Sequence, residues 1–382
     1  MRITEFSADG FRNLRQVAFA PDPKLNLITG NNAQGKTNLL DALWLMTGCR
    51  SFHGIQERHY LGFSADYFQC CMKFWDSRRV QEIRYSMERK QQKNRSISVN
   101  GVPGRRPADL FETFQCVAFS PADLSLIDGT PEKRRSFVDL GACQLHPDRM
   151  CHLNMAAHLL SQRNAGIQQA VRKKIRKQDI LLWDEQLAKV SILLTKMRSD
   201  YIRNLSPVCK KLYDLITDGQ EELELSYRSA IFPESGNFEN LNASPDSDLD
   251  VGLIRTYQDI LRERLEEDFR LGYTLRGIHR DELQLAINGK AVHLFGSQGQ
   301  KKTAALVLKL AQAHLYREKL QKSPVILLDD VMGELDGQRQ KLIYDAVSDM
   351  QVFITLCHAS SLKLTETGRI FRMEDGILNR IS

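Results

Sequence analysis

A glycine-rich run, Gly30-Asn31-Asn32-Ala33-Gln34-Gly35-Lys36-Thr37, stands between the apolar segment LNLIT and the segment NLLDALWLM. Strand, loop and helix in that order form a phosphate-binding loop. The glycines let backbone N–H groups close around phosphate oxygens, and the helix that follows adds the positive end of its dipole. In such a loop Lys36 places a point charge on the β- and γ-phosphates, and Thr37 places a hydroxyl on Mg²⁺. A plain glycine-rich turn before a helix is the bland alternative, and the agreement of motif with context argues against it.

A magnesium nucleotide also needs a carboxylate from a second strand. Pro324-Val325-Ile326-Leu327-Leu328-Asp329-Asp330 has that form, four apolar residues of a buried parallel strand running into two acids. Asp329 is the candidate metal ligand, directly or through water. Asp330 is the candidate to orient or deprotonate an attacking water. Between loop and acids, Phe295-Gly296-Ser297-Gln298-Gly299-Gln300-Lys301-Lys302 leads into the amphipathic TAALVLKLAQAHLYREKL. Ser297, Gly299 and Gln300 put a hydroxyl and small-residue N–H groups at a helix N-terminus, a second place for an anion. Serine is also simply a good helix cap. Gly333-Glu334-Leu335-Asp336 follows the acidic strand.

Several elements must hold these groups. Alternating patterns predict strands over 1–6, 25–28, 67–74, 82–87 and 97–99, the last running into Asn100-Gly101. Asn-Gly between apolar stretches favours a tight hairpin because both residues tolerate positive φ. A second hairpin is expected over 283–287, Asn288-Gly289 and 291–295. From about 151 to 230 apolar residues recur at three- and four-residue spacing, and a further helix is expected over 250–270. The Pro-, Ser-, Asn- and Asp-rich stretch 232–250 predicts an exposed loop. These helical runs are too short and interrupted for a long coiled coil. The expected fold is therefore α/β, a P-loop ATPase head with mixed sheets and an inserted compact helical lobe. The expected domains are 1–150, the lobe at 151–270, and 271–382.

Composition agrees with a folded chain. Hydrophobic residues are 42 % and charged residues 26 % of 382, which excludes disordered, collagenous and disulfide-stapled classes. The net charge of +6 is too dilute to identify a polyanionic partner by itself. The eight cysteines form no Cys-x-x-Cys pair and have no histidine at zinc spacing, so they read as reduced thiols. No signal peptide or bilayer-spanning run is apparent, and a cytoplasmic location is expected.

The order of phosphate loop, long insertion, Ser-x-Gly-Gln helix, acidic strand and Gly-Glu-Leu-Asp resembles ABC-type ATPases. In that class the signature helix cannot reach the phosphate loop of its own chain. The resemblance implies two protomers head to tail, each capping the ATP held by the other, with Asp336 in the loop that couples the sites. A switch histidine usually follows the next strand, here 351–356. His358 lies beyond Cys357 and reads equally as that switch or as a solvent-facing loop residue.

Asn38 and Asp41 in GKTNLLDAL resemble the SMC-like DNA-repair branch. Further motifs resemble the RecF recombination-mediator family: Phe11-Arg12-Asn13, FSPADL from Phe119, LIDGTP from Leu126, RRSFVD from Arg134, Gln162-Arg163-Asn164, Trp183-Asp184 and TLRGIHRDEL from Thr274. They run through nearly the whole chain in the family's order. The family commonly has proline where Ile278 stands. By this resemblance Arg12, Asn13 and Asn38 join the nucleotide site, and the guanidinium fork of Arg12 suits γ-phosphate oxygens. Thr130-Pro131-Glu132 reads as a helix start. Of the adjacent Arg134 and Arg135, one is expected at the nucleotide interface and the other in a surface ion pair.

Two basic stretches are candidates for DNA phosphates, or for ordinary solvated faces. One spans 84–106 and includes Arg89, Lys90, Lys93 and Arg95; the other holds Arg172, Lys173, Lys174, Arg176 and Lys177. The resemblance implies a weak ATPase using ATP and Mg²⁺, an ATP-dependent homodimer that clamps double-stranded and gapped DNA, and RecA loading with RecR and RecO. The alternatives are a RecF-like ATPase of a defence system and the nucleotide-binding subunit of an ABC transporter.

Overall fold

Uninterrupted apolar runs become the buried strands of a mixed sheet. In the computed structural model, which describes residues 1–63, 65–89, 95–232, 251–334, 337–358 and 368–381, this sheet has six strands. Their order is Ile377–Arg380, Arg369–Glu374, Leu25–Thr29, Val352–Leu356, Val325–Asp329 and Cys116–Phe119. All neighbours are parallel except the edge strand Ile377–Arg380. The four strands from Leu25–Thr29 to Cys116–Phe119 are buried at every position, as expected of a parallel sheet covered on both faces.

A second, antiparallel sheet runs in the order Val17–Phe19, Arg2–Asp9, Tyr67–Trp75, Val80–Glu88, Arg95–Val99 and Val102–Pro103. Tyr67–Trp75 alternates exposed and buried residues, so only one face is covered. Phe19 joins the two sheets, meeting Phe371 edge-on at 5.0 Å and Phe353 at 6.5 Å. The Asn100-Gly101 turn has φ of 52° and 78°, both positive as a tight hairpin requires. Both sheets belong to a compact unit made of 1–124, 212–219 and 302–382.

The other unit comprises 125–211 and 220–301. It holds the helices Pro131–Leu145, Met150–Val171, Val251–Glu263 and Leu265–Leu271, most of Leu181–Thr217, and a small antiparallel sheet. Leu181–Thr217 has 37 residues with Pro207 inside it. The single helix expected over 250–270 is divided at Arg264. The expected return strand 291–295 is only Lys290–Ala291, followed by the short helix Val292–Phe295. The physical reason is burial: Val292 is covered while Leu294 and Phe295 are exposed, so the run has no alternating face to pair. Residues 233–250 of the expected loop lie outside the described residues.

Two buried arginines tie this unit together. Arg163, fully inaccessible, donates from Nε to Asp184 at 2.8 Å and from Nη1 to Asp268 at 2.6 Å and Thr274 Oγ1 at 2.7 Å. Arg198 grips Asp139 with Nε and Nη2 at 2.7 and 2.8 Å, and donates from Nη1 to Asp281 at 2.8 Å and to the Ile278 carbonyl at 2.6 Å. Burial pushes the Asp184 and Asp281 carboxyls up, and the facing arginines oppose that shift. Removing one member of such a set strands a buried charge, at a cost of about 3–5 kcal/mol.

His279 gives this unit a pH dependence. Burial lowers its pKa from 6.5 to about 4, while its contact with the Thr274 carbonyl acts the other way. Below pH 6.5 the unfolded chain takes up a proton that the folded chain refuses, so stability falls as pH drops from 6.5 towards 4. His279→Gln is expected to flatten the denaturant midpoint over that pH window. An unchanged slope would remove His279 as its source.

Candidate functional site

The site begins where the strand Leu25–Thr29 ends. Gly30 has φ of 144° and Gly35 of 113°, both in the region that favours glycine. A Cβ on Gly30 would lie 2.4 Å from the Met373 carbonyl oxygen, and one on Gly35 would lie 2.8 Å from Asn13 Oδ1. The loop can follow this path only with glycine at both positions. It opens into the helix Lys36–Leu45, which packs on the strands Val325–Asp329, Val352–Leu356 and Cys116–Phe119. Gln34 anchors the far side, its Oε1 accepting from Asp375 N at 2.6 Å and its carbonyl from Gly376 N at 3.0 Å.

Sheet register then brings the acids to the loop. Asp329 pairs with Thr355, which pairs with Ile28, so three strands end side by side. Thr37 Oγ1 donates to the Asp329 carboxylate, 3.0 and 2.9 Å from its two oxygens, and Thr355 Oγ1 reaches Asp329 Oδ1 at 2.8 Å. Thr355 Oγ1 also accepts from Asp330 N at 2.8 Å, and Asp330 is an exposed residue with φ of 52°. Lys36 Nζ is held by the carbonyls of Gly30 at 2.6 Å and Asn31 at 2.9 Å. Asn32, Ala33, Gly35, Lys36, Thr37, Asn38, Asp329, Asp330 and Thr355 line a cavity of about 280 Å³.

This donor set suits Mg²⁺. A hydroxyl and a carboxylate within hydrogen-bond reach supply hard oxygens, and Mg²⁺ usually takes few protein ligands together with phosphates and water. Among the described residues no group of three or more His, Cys, Asp or Glu forms a self-sufficient metal cage. Thr37 and Asp329 would hold the ion, which would neutralise phosphate charge there.

Arg12 and Asn13 stand behind the cavity. Arg12 donates from Nη1 to Asn38 Oδ1 at 2.9 Å and from Nη2 to Ser51 Oγ at 3.1 Å, and it pairs with Asp41. Asn38 Nδ2 donates to Asn13 Oδ1 at 2.7 Å. Burial pushes the Asp41 carboxyl up, and the Arg12 charge opposes it. The fork assigned to phosphate from the sequence is thus engaged inside the protein. Arg12 and Asp41 bind the helix after the loop to the segment that follows it, since Asp41 also accepts from Phe52 N at 3.3 Å.

That segment carries the residue sequence reasoning missed. His53 Nε2 lies 3.3 Å from Asp329 Oδ2. Nothing in its spacing marks it, because the contact joins residues far apart in the chain. Just past the neighbouring strand Val352–Leu356, Cys357 Sγ donates to Asn32 Oδ1 at 3.2 Å, and His358 is exposed.

In the second unit Ser297 and Gln300 form a reciprocal cap: Gln300 N donates to Ser297 Oγ at 3.2 Å, and Ser297 N donates to Gln300 Oε1 at 2.8 Å. Gln300 Nε2 donates to Glu221 Oε1 at 2.7 Å. Ser297 and Gly299 are exposed at the start of the helix Gln298–Leu320. Asp336 lies outside the described residues.

Neither arginine of the adjacent pair is a free surface ion-pair partner. Arg134, 7 % exposed, donates to Glu282 and to the Gly129 carbonyl, and Arg135 Nη1 donates to the Asp281 carbonyl. Thr130 occupies the N-cap with Pro131 after it, without a side-chain capping bond.

The basic stretches divide likewise. Arg89 is used up on the carbonyls of Gly62, Phe63 and Ala65, and Arg95 pairs with Glu57 at 2.7 Å. Lys90 and Lys93 lie outside the described residues. Arg176 pairs with Asp179 at 3.0 Å, and Lys177 pairs with Glu266 at 2.7 Å and sits over the Phe269 ring. Arg172, Lys173 and Lys174 are exposed, with no side-chain partner among the described residues.

Fold and site together define an ABC-type head of the SMC kind, a mixed α/β P-loop architecture with a helical insert. The family described as RecF/RecN/SMC N terminal domain matches residues 2–378. The chain is 31 % identical over 382 residues to "DNA replication and repair protein RecF" of Lachnoclostridium phytofermentans, covering 100 % of both chains. It is 34 % identical over 371 residues to the protein of the same name from Desulforamulus reducens, covering 96 % of this chain and 95 % of that one. A solved structure of the recombination mediator protein RecF-ATP in the RecFOR pathway superposes with a TM-score of 0.88 at 30 % identity, covering 100 % of this chain and 98 % of that one. The Smc head bound to the C-winged helix domain of ScpA, 13 % identical with a TM-score of 0.54 and covering 100 % of this chain and 98 % of that one, shares the fold alone. The chain belongs to the RecF family.

Replacing Arg12 distinguishes a clamp from a phosphate contact. Arg12→Ala leaves Asp41, 1 % exposed, without its ion-pair partner and is expected to destabilise the protein by about 3–5 kcal/mol in denaturant titration. Intact stability together with weakened ATP affinity would return Arg12 to the phosphates.

Proposed function

We propose that this protein is an ATP-dependent DNA-binding protein of recombinational repair and replication. ATP with Mg²⁺ binds at the loop through Lys36, Thr37 and Asp329. Two copies then close head to tail, with Ser297 and Gly299 of each sealing the nucleotide of the other. Asp330 orients or deprotonates the water that attacks the γ-phosphate, and slow hydrolysis reopens the dimer. The closed form holds duplex or gapped DNA and works with RecO and RecR, in keeping with the RecFOR pathway named for the similar solved structure, and helps load RecA.

The observation that carries this reading is the placement of Thr37, Asp329 and Asp330 around one cavity, while the Ser297 cap is a preformed and exposed helix start. A half-site of either kind has groups that bind phosphate and lacks those that enclose it. The dimer, the hydrolytic role of Asp330 and the DNA contacts are proposals of this reading. So is the division of the chain into a head at 1–150 and 271–382 and a lobe at 151–270.

Lys36→Ala is expected to abolish ATP binding. Asp330→Asn should keep ATP, hydrolyse it at least tenfold more slowly and accumulate dimer. Mass measurement in solution with ATP decides the matter: a strictly monomeric Asp330→Asn protein that binds ATP would sink the shared-site mechanism.

Arg172, Lys173 and Lys174 have no side-chain partner among the described residues and are the best candidates in the basic cluster for binding phosphate. Reversing all three charges should weaken duplex binding and reduce the slope of log affinity against log salt by about one for each DNA phosphate that is no longer neutralised. The same reversal at Arg176 should change the slope less, because that charge is already paired. An unchanged slope for the triple variant would assign the cluster to plain surface.

A further inference from the structure

We propose that His53 is a positioning residue of the metal–nucleotide site: its imidazole holds the Asp329 carboxylate in the orientation that Thr37 and a divalent cation share. The inference rests on the nucleotide reading above and assigns a role to a residue outside the phosphate loop, the acidic strand and the signature helix.

His53 is delivered by a braced segment. Ser51 N donates to the Tyr60 hydroxyl at 2.8 Å, and Phe52 N donates to Asp41 Oδ1 at 3.3 Å. Ser51 Oγ accepts from Arg12 at 3.1 Å and from His53 N at 3.2 Å. The Phe52 ring packs edge-on against Trp44 at 6.1 Å and lies tilted against the His53 ring at 4.3 Å. Three backbone N–H groups in succession and an aromatic contact therefore fix where the imidazole sits. A side chain on an unbraced surface loop would sample many rotamers; this one has little freedom to lose.

The braced ring points at one atom. Nε2 is 3.3 Å from Asp329 Oδ2, a close approach outside hydrogen-bond alignment, and it has no hydrogen-bond partner among the described residues. Thr355 takes the other oxygen, Oδ1, at 2.8 Å. Asp329 is thus flanked by Thr355 on one oxygen and His53 on the other, with Thr37 spanning both. Such outer partners of a ligating carboxylate set its rotation and so the geometry it offers to a cation. A small turn of the ring would align the contact into a hydrogen bond. The bracing of 51–53 by Arg12, Asp41 and Tyr60 then has a purpose at the site.

The test measures metal dependence separately from nucleotide affinity. Binding of a fluorescent ATP analogue is titrated with Mg²⁺, and repeated in EDTA. His53→Ala is expected to raise the Mg²⁺ midpoint about tenfold while leaving the EDTA affinity within twofold of the parent. His53→Gln, whose amide nitrogen can reach the place of Nε2, should recover most of that loss. An unchanged midpoint for His53→Ala, or equal weakening with and without Mg²⁺, would overturn the role of His53. So would a His53→Gln protein no better than His53→Ala. A parent protein whose nucleotide binding ignores Mg²⁺ would overturn the metal reading itself, and this inference with it.

Discussion

The hydrogen bonds from Thr37 to Asp329 join residues 292 apart in sequence and bring the glycine-rich loop and the acidic strand to one cavity. They depend in turn on the register of three parallel strands. Ile28, Thr355 and Asp329 lie in line, so the loop after the first strand meets the acid at the end of the third. One residue of slip would turn Asp329 to the other face of the sheet and remove it from the loop. Those strands are buried at every position, so a slip would also have to repack both faces of the sheet.

Around that contact the chain places polar side chains under cover, each with a partner. Asp329, Thr355, Lys36 and Asp41 are all less than a tenth exposed. Buried polar groups are tolerable only when satisfied, and once satisfied they rigidify. Arg12 illustrates the effect. It holds Asn38 and Asp41 on the helix after the loop, and Ser51 on the segment beyond it, so one side chain ties the helix to the His53 segment.

The second unit uses the same device for a different end. Arg163 and Arg198 are its internal ties, and their partners Asp184, Asp139 and Asp281 fall within the motifs that carry the family resemblance. Those motifs therefore act through architecture in this unit. Such buried ion pairs add little net stability over an apolar core, yet they penalise any arrangement that leaves one partner alone. The Ser297 cap belongs to this unit and inherits its rigidity through Gln300 and Glu221.

Much of the site was legible from residue order. The spacing of Gly30, Gly35, Lys36 and Thr37, the apolar strand before Asp329, and the Asn-Gly hairpins follow from local rules of backbone conformation and periodicity. The basic clusters show where such rules stop: Arg89 and Arg172 look alike in sequence, but one is spent on loop carbonyls and the other is exposed without a side-chain partner among the described residues. The same holds for Arg12, read as a phosphate ligand and found braced against Asp41, and for His53, unremarkable in sequence and found beside Asp329. Sequence determined which segments could bind phosphate, because that chemistry needs a short contiguous loop and a strand-end acid. Tertiary structure alone decided which charges remain available, because a side chain's partner is set by packing between segments tens to hundreds of residues apart.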